Sequence, residues 1–209
     1  MGARKELGEA PEEFVRALSA LRSVTPRPEV VIEETPAPQR LAPHAVALSA
    51  DVVSPTDPDT ELGTGRLVLL HDPAGHEAWE GTFRVVTYVR AELDHDMATD
   101  PLLAGVGWAW LTEALEGHGA AFGAASGTVT RVASESFGAI ATEPTSAQIE
   151  IRASWTPVPA PGAPAGAPLD IGSHVEAWGE LMCTAVGLPP VPEGVTAMPS
   201  RRGQRGAGR

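Results

Sequence analysis

The chain has 209 residues, a mass of 21.7 kDa and a formal net charge of −12, and 43% of its residues are hydrophobic. This size and composition indicate a globular protein with one sizeable core. Four arginines between residues 201 and 209 leave −12 − 4 = −16 on the rest of the chain, which argues against a broad nucleic-acid-binding surface on the folded body. The single cysteine, Cys183, excludes an intrachain disulfide and a multi-cysteine metal site.

The distribution of apolar and breaker residues predicts one domain with flexible ends. No apolar run has the length of a signal peptide core or of a membrane span, so we expect a cytoplasmic protein that does not contact a membrane. We expect a flexible N-terminus at 1–10, a single domain at 11–188 and a disordered Arg/Gly tail at 189–209. Within the domain, residues 157–168 are almost wholly Pro, Ala and Gly and predict an internal loop.

The first half of the chain reads as one helix followed by strands. Residues 11–21 predict a helix, because Glu12 and Glu13 suit its first turn and an apolar stripe follows them. Alternating or β-branched segments then predict strands at 30–32, 45–53, 65–70 and 82–93.

A second helix is predicted to begin at Asp100 and Pro101, as N-cap and first helical residue, and to end by 117–119. Its expected apolar face consists of Leu103, Val106, Trp110, Ala114 and Leu115.

A hairpin follows this helix. Residues 128–132 are rich in β-branched side chains, and residues 149–155 alternate between apolar and polar side chains. Pro144 fits the turn between them, and Gly138 suggests a bulge or bend.

A last helix is predicted by apolar residues at spacings of three and four, with Gly187 placed as its C-terminal cap. The stripe comprises Ile171, Val175, Trp178, Met182 and Val186. The predicted fold class is therefore α+β: a single antiparallel sheet of five to six strands packed by three helices, in the order helix, strands, helix, hairpin, helix.

The sequence offers no convergent catalytic set, and we predict no catalytic residue, cofactor or metal ion. Histidines beside carboxylates, in 71–77 and 94–96, are of the types that bind metals, but exposed polar residues are expected at such turns and strand ends in any case. The serine-nucleophile motif, the Walker loop and the dinucleotide fingerprint do not occur. Cys183 is expected to be an inert buried thiol.

A partner surface is the sharper interpretation of the hairpin and of the preceding helix. Trp108 and Trp110 are two residues apart on one helix and cannot face the same way, so one of them is a candidate for exposure at an interface. The alternative is that sheet or loop residues cover both. On the outer face of the hairpin we expect Arg131, Glu135, Glu150 and Arg152, either as a solvated, charge-paired surface or as part of a binding site.

Two further interactions are considered. The arginines of the tail resemble those of arginine–glycine segments that contact RNA, but four arginines give only a weak, salt-sensitive attraction, and a solubilising tail without function is the preferred interpretation. A homodimer through an open sheet edge or a helix face is also expected to be accessible, because sheet edges invite pairing.

Four segments resemble an actinobacterial family of unknown function, domain of unknown function 3000. They read GRLVLLHDP at 65–73, WEGTFRVV at 79–86, SGTVTRV at 126–132 and IEIRASWT at 149–156, and the resemblance covers about 12–188. It implies a cytosolic protein with no assigned activity and no known site residues. The resemblance also implies a neighbouring ribonuclease-D-like gene, which adds slight weight to an RNA-related role.

Our leading hypothesis for function is a non-catalytic binding or adaptor module with a protein partner. The first alternative is an accessory factor in RNA metabolism, and the second is a small-molecule enzyme with an acidic/His site within 71–96. A deep pocket lined by those residues would favour the enzyme.

Overall fold

Six strands form one antiparallel sheet in a computed structural model that describes residues 10–142, 145–164 and 166–190. The strands are β1 (Val30–Thr35), β2 (His44–Val53), β3 (Glu61–His76), β4 (Gly81–Leu93), β5 (Phe122–Ser134) and β6 (Ser146–Pro157). The helices are α1 (Glu12–Ser23), α2 (His95–Thr99), α3 (Leu103–Gly117) and α4 (Ile171–Ala185). The predicted α+β class and the order of its elements are confirmed, with the short α2 as an addition.

The order of strands across the sheet is β1-β2-β3-β4-β6-β5, and every neighbouring pair is antiparallel. The last strand, β6, therefore lies between β4 and β5. These two strands run in the same direction, and α2 and α3 make the connection between them.

The helices cover one face of the sheet because that face carries the apolar residues of each alternation. Leu67, Val85 and Ile151 point to this side and are at most 1% exposed. α4 packs on the central strands, and α1 and α3 pack against α4. The opposite face carries no α-helix among the residues that the structure describes, and we call it the open face. Part of it is covered, because Trp79 of a 3₁₀ turn packs against Val68 and Leu70 there.

α4 is the central helix of this layer. Its predicted apolar stripe is confirmed, since Ile171, Val175, Trp178 and Met182 are all buried. The predicted cap is confirmed as well: Gly187 has a φ of 78°, and the N–H groups of Gly187 and Leu188 donate to carbonyls of the last helical turn.

α3 differs from its prediction in its start and in its buried face. It begins at Leu103, because Asp100 caps a turn in which its carboxylate accepts from the Leu102 N–H at 2.8 Å. Gly107 and Leu111 are buried in place of Val106, which is 42% exposed. A Cβ at Gly107 would lie 2.9 Å from Ile149, so the glycine permits a close approach of helix and sheet.

Gly138, where a bulge or bend is predicted, forms a bend: it has a φ of 67° and begins a 3₁₀ turn in the β5–β6 connection. β5 also contains a bulge that was not predicted. The bulge lies at Ala124–Ala125, where β5 has one residue more than β6 between the Gly123–Thr156 pair and the Ser126–Ser154 pair. Ala124 has a φ of 48°, which is consistent with this kink. Pro144 lies outside the described residues.

Candidate functional site

The register of the sheet aligns polar side chains of four strands on the open face. Arg66 of β3 lies opposite Tyr88 of β4, Tyr88 lies opposite Arg152 of β6, and Arg152 lies opposite Thr128 of β5. Because side chains of directly paired residues project to the same face, these four form one row across the sheet. Adjacent strands are about 4.8 Å apart, so the row spans roughly 14 Å.

A second row runs parallel to the first. Val68, Val86, Ser154 and Ser126 pair in the same way across β3, β4, β6 and β5. Together the two rows line a groove of about 440 Å³. No carboxylate lines it among the described residues. The two rows therefore contribute two arginines, two serines, a threonine, a tyrosine and two valines.

The arginine in the middle of the groove is held by its neighbours. The Arg152 guanidinium lies 2.7 Å from a Glu150 carboxylate oxygen and 5.0 Å from the centre of the Tyr88 ring. The Tyr88 hydroxyl donates to the other oxygen of Glu150 at 3.0 Å. This hydrogen bond is the main reason that the pKa of Glu150 lies below its usual value, and burial raises the pKa of Tyr88. Glu150 thus orients both side chains from outside the groove.

Below the second row lies a buried arginine. Arg84 is 6% exposed, and its guanidinium donates to the Ala124 carbonyl at 2.9 Å and to the Thr156 hydroxyl at 3.0 Å. It also donates to the groove serines, at 2.7 Å to the Ser154 hydroxyl and at 3.3 Å to the Ser126 hydroxyl. The bulge in β5 places the Ala124 carbonyl for this contact.

The partners of Arg84 are neutral oxygens. Burial lowers the pKa of Arg84, and the nearby charge of Glu80 opposes this shift. Among the described residues, no carboxylate lies within salt-bridge distance of Arg84. Because the two serine oxygens accept hydrogen bonds from the guanidinium, their own O–H groups are oriented to donate elsewhere. The Ser126 and Ser154 oxygens lie 3.4 Å apart, so one hydroxyl is able to donate to the other while the second faces the groove.

The predicted partner surface is only partly assembled. Glu150 and Arg152 lie on the open face as expected. The expectation for Arg131 is wrong: it pairs with Ile149 on the helix side, and its guanidinium donates to the carbonyls of Ala98 and Asp100. Glu135 is exposed in the β5–β6 connection, beyond the end of β5.

The two tryptophans of α3 follow the alternative interpretation. Trp108 and Trp110 are both half-buried and pack against the main core. A Cβ at Gly127 of β5 would lie 2.8 Å from the Trp108 ring, so Trp108 lies directly on the edge strand. Neither tryptophan is fully exposed on a free helix face.

The candidate acidic/His site does not form. His71 pairs with Phe83 near one end of β4, whereas His95 follows the opposite end of that strand. Ten strand residues separate these positions, which corresponds to roughly 33 Å. His71 is fully buried and its Nε2 lies 2.7 Å from the Glu13 carboxylate, and His76 Nδ1 accepts from the Ala78 N–H at 3.2 Å. No group of three metal-binding side chains occurs in the described ranges.

The residues that sequence reasoning missed are Arg66, Arg84, Tyr88, Ser126 and Ser154. One signal for them was present: Arg84, Val86, Tyr88 and Arg90 alternate with the apolar residues of β4 and mark its outer face. Their assembly into a groove depends on the pairing of four strands, which no local pattern reports.

Comparison with known proteins gives a family and no activity. The family described as "Protein of unknown function (DUF3000)" matches residues 10–196. Neither the curated proteins nor the solved structures compared with the chain include a match. Over the part of the chain that the structure describes, no helix has both the length and the apolar character needed to cross a membrane.

Proposed function

The chain belongs to the DUF3000 family of proteins of unknown function, and we propose that it is a non-catalytic cytoplasmic binding module whose groove takes a segment of a partner protein. The observation that carries the proposal is the row Arg66–Tyr88–Arg152, which faces a groove without a carboxylate in a protein of net charge −12. A cationic groove on an otherwise acidic protein is a site of charge complementarity for an anionic group.

The lining defines the chemistry of the segment. Two guanidinium groups and the serine hydroxyls suit one or two carboxylates. Val68, Val86 and the Tyr88 ring offer apolar contact beside them, which suits aliphatic or aromatic side chains. The ligand is therefore an acidic segment with interspersed apolar residues, and not a run of charges alone.

RNA fits this groove less well than such a segment. An RNA strand carries a charge on every nucleotide, and the net charge of −12 on the protein disfavours association with a long polyanion. The arginine tail, which motivated an RNA role, lies outside the described residues. RNA is therefore an outcome of the test below and not a second proposal.

To test the proposal, peptides that bind the full-length protein are selected from a display library of random heptapeptides. We expect recovered peptides to be enriched in Asp and Glu next to apolar residues. The Arg66→Gln/Arg152→Gln variant should bind them about tenfold more weakly or worse, because each charge-assisted hydrogen bond contributes about 1.5–3 kcal/mol. Binding is measured by fluorescence anisotropy of the labelled peptides.

The matched control is Arg16→Gln/Arg22→Gln, which removes the same charge from exposed positions on α1. It should leave peptide affinity unchanged. Recovery of peptides without acidic enrichment, or equal loss in both variants, would contradict the proposal. Preferential binding of a labelled random 20-nucleotide RNA, lost with the two groove arginines, would replace the protein partner by RNA.

A further inference from the structure

The three hydroxyl groups around the buried guanidinium of Arg84 differ in where their protons go. The Thr156 hydroxyl accepts from Arg84 at 3.0 Å and donates in turn to the Trp79 carbonyl. The Ser154 and Ser126 hydroxyls accept from the same guanidinium at 2.7 and 3.3 Å. Within the described ranges, the only hydrogen bond open to either serine proton is the one to the other serine. The two serines therefore bring at least one O–H donor to the groove.

Over the part of the chain that the structure describes, no carboxylate pairs with the buried charge of Arg84. Arg84 is 6% exposed, and Glu80, whose charge acts on it from a greater distance, is exposed to solvent. The other carboxylate near the groove, Glu150, is already paired with Arg152. Because a buried charge is costly unless an opposite charge compensates it, an anion placed on the two serines would be stabilised by Arg84.

From these hydroxyl groups and this charge we infer that Ser126 and Ser154 form a subsite for a carboxylate, with Arg84 beneath them as its counter-charge. An ionised carboxylate only accepts hydrogen bonds, so it can accept from both serine hydroxyls, whose oxygens lie 3.4 Å apart. The inference rests on the proposed function, because it names the place in the groove where an acidic group of the ligand binds.

The subsite distinguishes a carboxylate from an amide of the same shape. An amide also offers an oxygen acceptor to the serine hydroxyls, but it brings no negative charge to compensate Arg84. Its NH₂ group would also compete with the Arg84 guanidinium for the serine oxygens. Opposite charges attract more strongly beside a buried group than in water, so the difference in affinity is large. Arg84 therefore makes this end of the groove select Asp and Glu over Asn and Gln.

The test compares hexanoate with hexanamide, which share one carbon chain and differ in the charge at its end. Each compound is titrated into the full-length protein at constant ionic strength, and the backbone amide signals of Ser126, Gly127 and Ser154 are followed by nuclear magnetic resonance. We expect hexanoate to shift these signals in a saturable way. Hexanamide should bind about tenfold more weakly or worse, because hydrogen bonds to a charged group are the stronger ones.

Two variants separate binding from folding. Ser126→Ala/Ser154→Ala removes the hydroxyl donors and should weaken hexanoate binding about tenfold, measured on the Gly127 signal. The matched control is Thr156→Val, which also takes an acceptor from Arg84, but whose hydroxyl proton is bound to the Trp79 carbonyl. It should keep the hexanoate affinity of the wild type. Thermal unfolding shows that each variant is folded during the titration, and the comparison of the two compounds on the wild type needs no variant.

Equal affinities for hexanoate and hexanamide would overturn the inference. So would the absence of hexanoate shifts at the two serines, or an equal loss of affinity in Thr156→Val and in the double serine variant. Failure of the proposed function is a separate result. Hexanoate bound at the serines without any selection of acidic peptides would keep the subsite and contradict the protein partner. Selected peptides that bind the wild type and the folded double serine variant equally would keep the partner and overturn the subsite.

Discussion

Arg84 carries a buried charge that neutral oxygens of β5 and β6 surround. Such a side chain ties the bulge and the groove serines to the central strand, because its planar guanidinium offers donors in fixed directions. Removing the Arg84 side chain leaves the Ala124 carbonyl and the Thr156 hydroxyl without the hydrogen bonds that it donates to them.

Arg84→Ala should therefore lower the free energy of unfolding by roughly 2–4 kcal/mol. Urea denaturation followed by tryptophan fluorescence measures the change. Arg90→Ala is the control, since Arg90 lies on the same strand and the same face but is exposed, and its effect should stay within about 0.5 kcal/mol. Equal effects of the two substitutions would show that burial of Arg84 contributes nothing.

His174 determines part of the pH dependence of stability. Its Nδ1 accepts from the Trp155 indole N–H at 3.0 Å, which requires a neutral ring. Burial lowers the pKa of His174 to about 4 from an ordinary value of 6.5, and Asp170 opposes this shift. The unfolded chain therefore binds the proton first as the pH falls, and stability is lost from pH 6.5 down to about 4.

The loss in this window should reach about 3 kcal/mol, since one pKa unit corresponds to about 1.4 kcal/mol. His174→Gln should be less stable at neutral pH and should show a flatter profile between pH 6.5 and 4. Urea unfolding at closely spaced pH values measures both slopes. An unchanged slope in His174→Gln would contradict the assignment.

At the scale of elements, glycines allow α4 to lie close to β3. A Cβ at Gly65 would lie 2.4 Å from the Met182 sulfur and 3.0 Å from the Trp178 ring, both of which are buried. The core has no room to accept this methyl group without displacing the helix.

Gly65→Ala should destabilise the protein by about 1–3 kcal/mol, as overpacked substitutions do. Gly105→Ala is the matched control, because a Cβ there meets no atom within 4 Å and the residue is exposed on α3. This control should raise stability by up to about 1 kcal/mol through helix propensity. Thermal unfolding of both variants measures the contrast, and a shift of the same sign in both would rule out close packing as the cause.

The elements also show what the sequence predicts and what it does not. The spacing of apolar residues and the positions of proline and glycine predicted α1, α4 and the strands, because this spacing reflects which side chains face the core. The side of Arg131 was not predictable, since it depends on how β5 pairs with β6 across a connection whose shape no local rule sets. The groove depends on three such pairings, which join β3, β4, β6 and β5. Arg66 gave no recognisable signal of its own, and the alternation of β4 marked Tyr88 only as a residue of the outer face.

At the scale of the whole molecule, Cys183 reports on the integrity of the helical layer. Its thiol is fully buried within α4, and burial raises its pKa to about 12, against the opposing effect of Arg27. Reaction with a thiol reagent requires that the Cys183 sulfur be exposed and deprotonated. We therefore expect it to react only after the core has opened.

A disulfide reagent should therefore label the native protein slowly and the protein in concentrated urea at once. The rate in the native state should follow global unfolding, and Gly65→Ala should increase it about tenfold for each 1.4 kcal/mol of stability that it removes. Rapid labelling of the native protein at neutral pH would contradict the packing of α4.

The position of β6 has a consequence for synthesis on the ribosome. β4 and β5 both precede β6 in the chain, yet β6 lies between them. The sheet is therefore not extended one strand at a time as the chain emerges. One edge of β4 remains unpaired until β6 has left the exit tunnel. In a nascent chain that pauses before β6, the backbone groups on one side of β4 have no strand to pair with and are accessible to chaperones. Synthesis of β6 provides the partner for both β4 and β5.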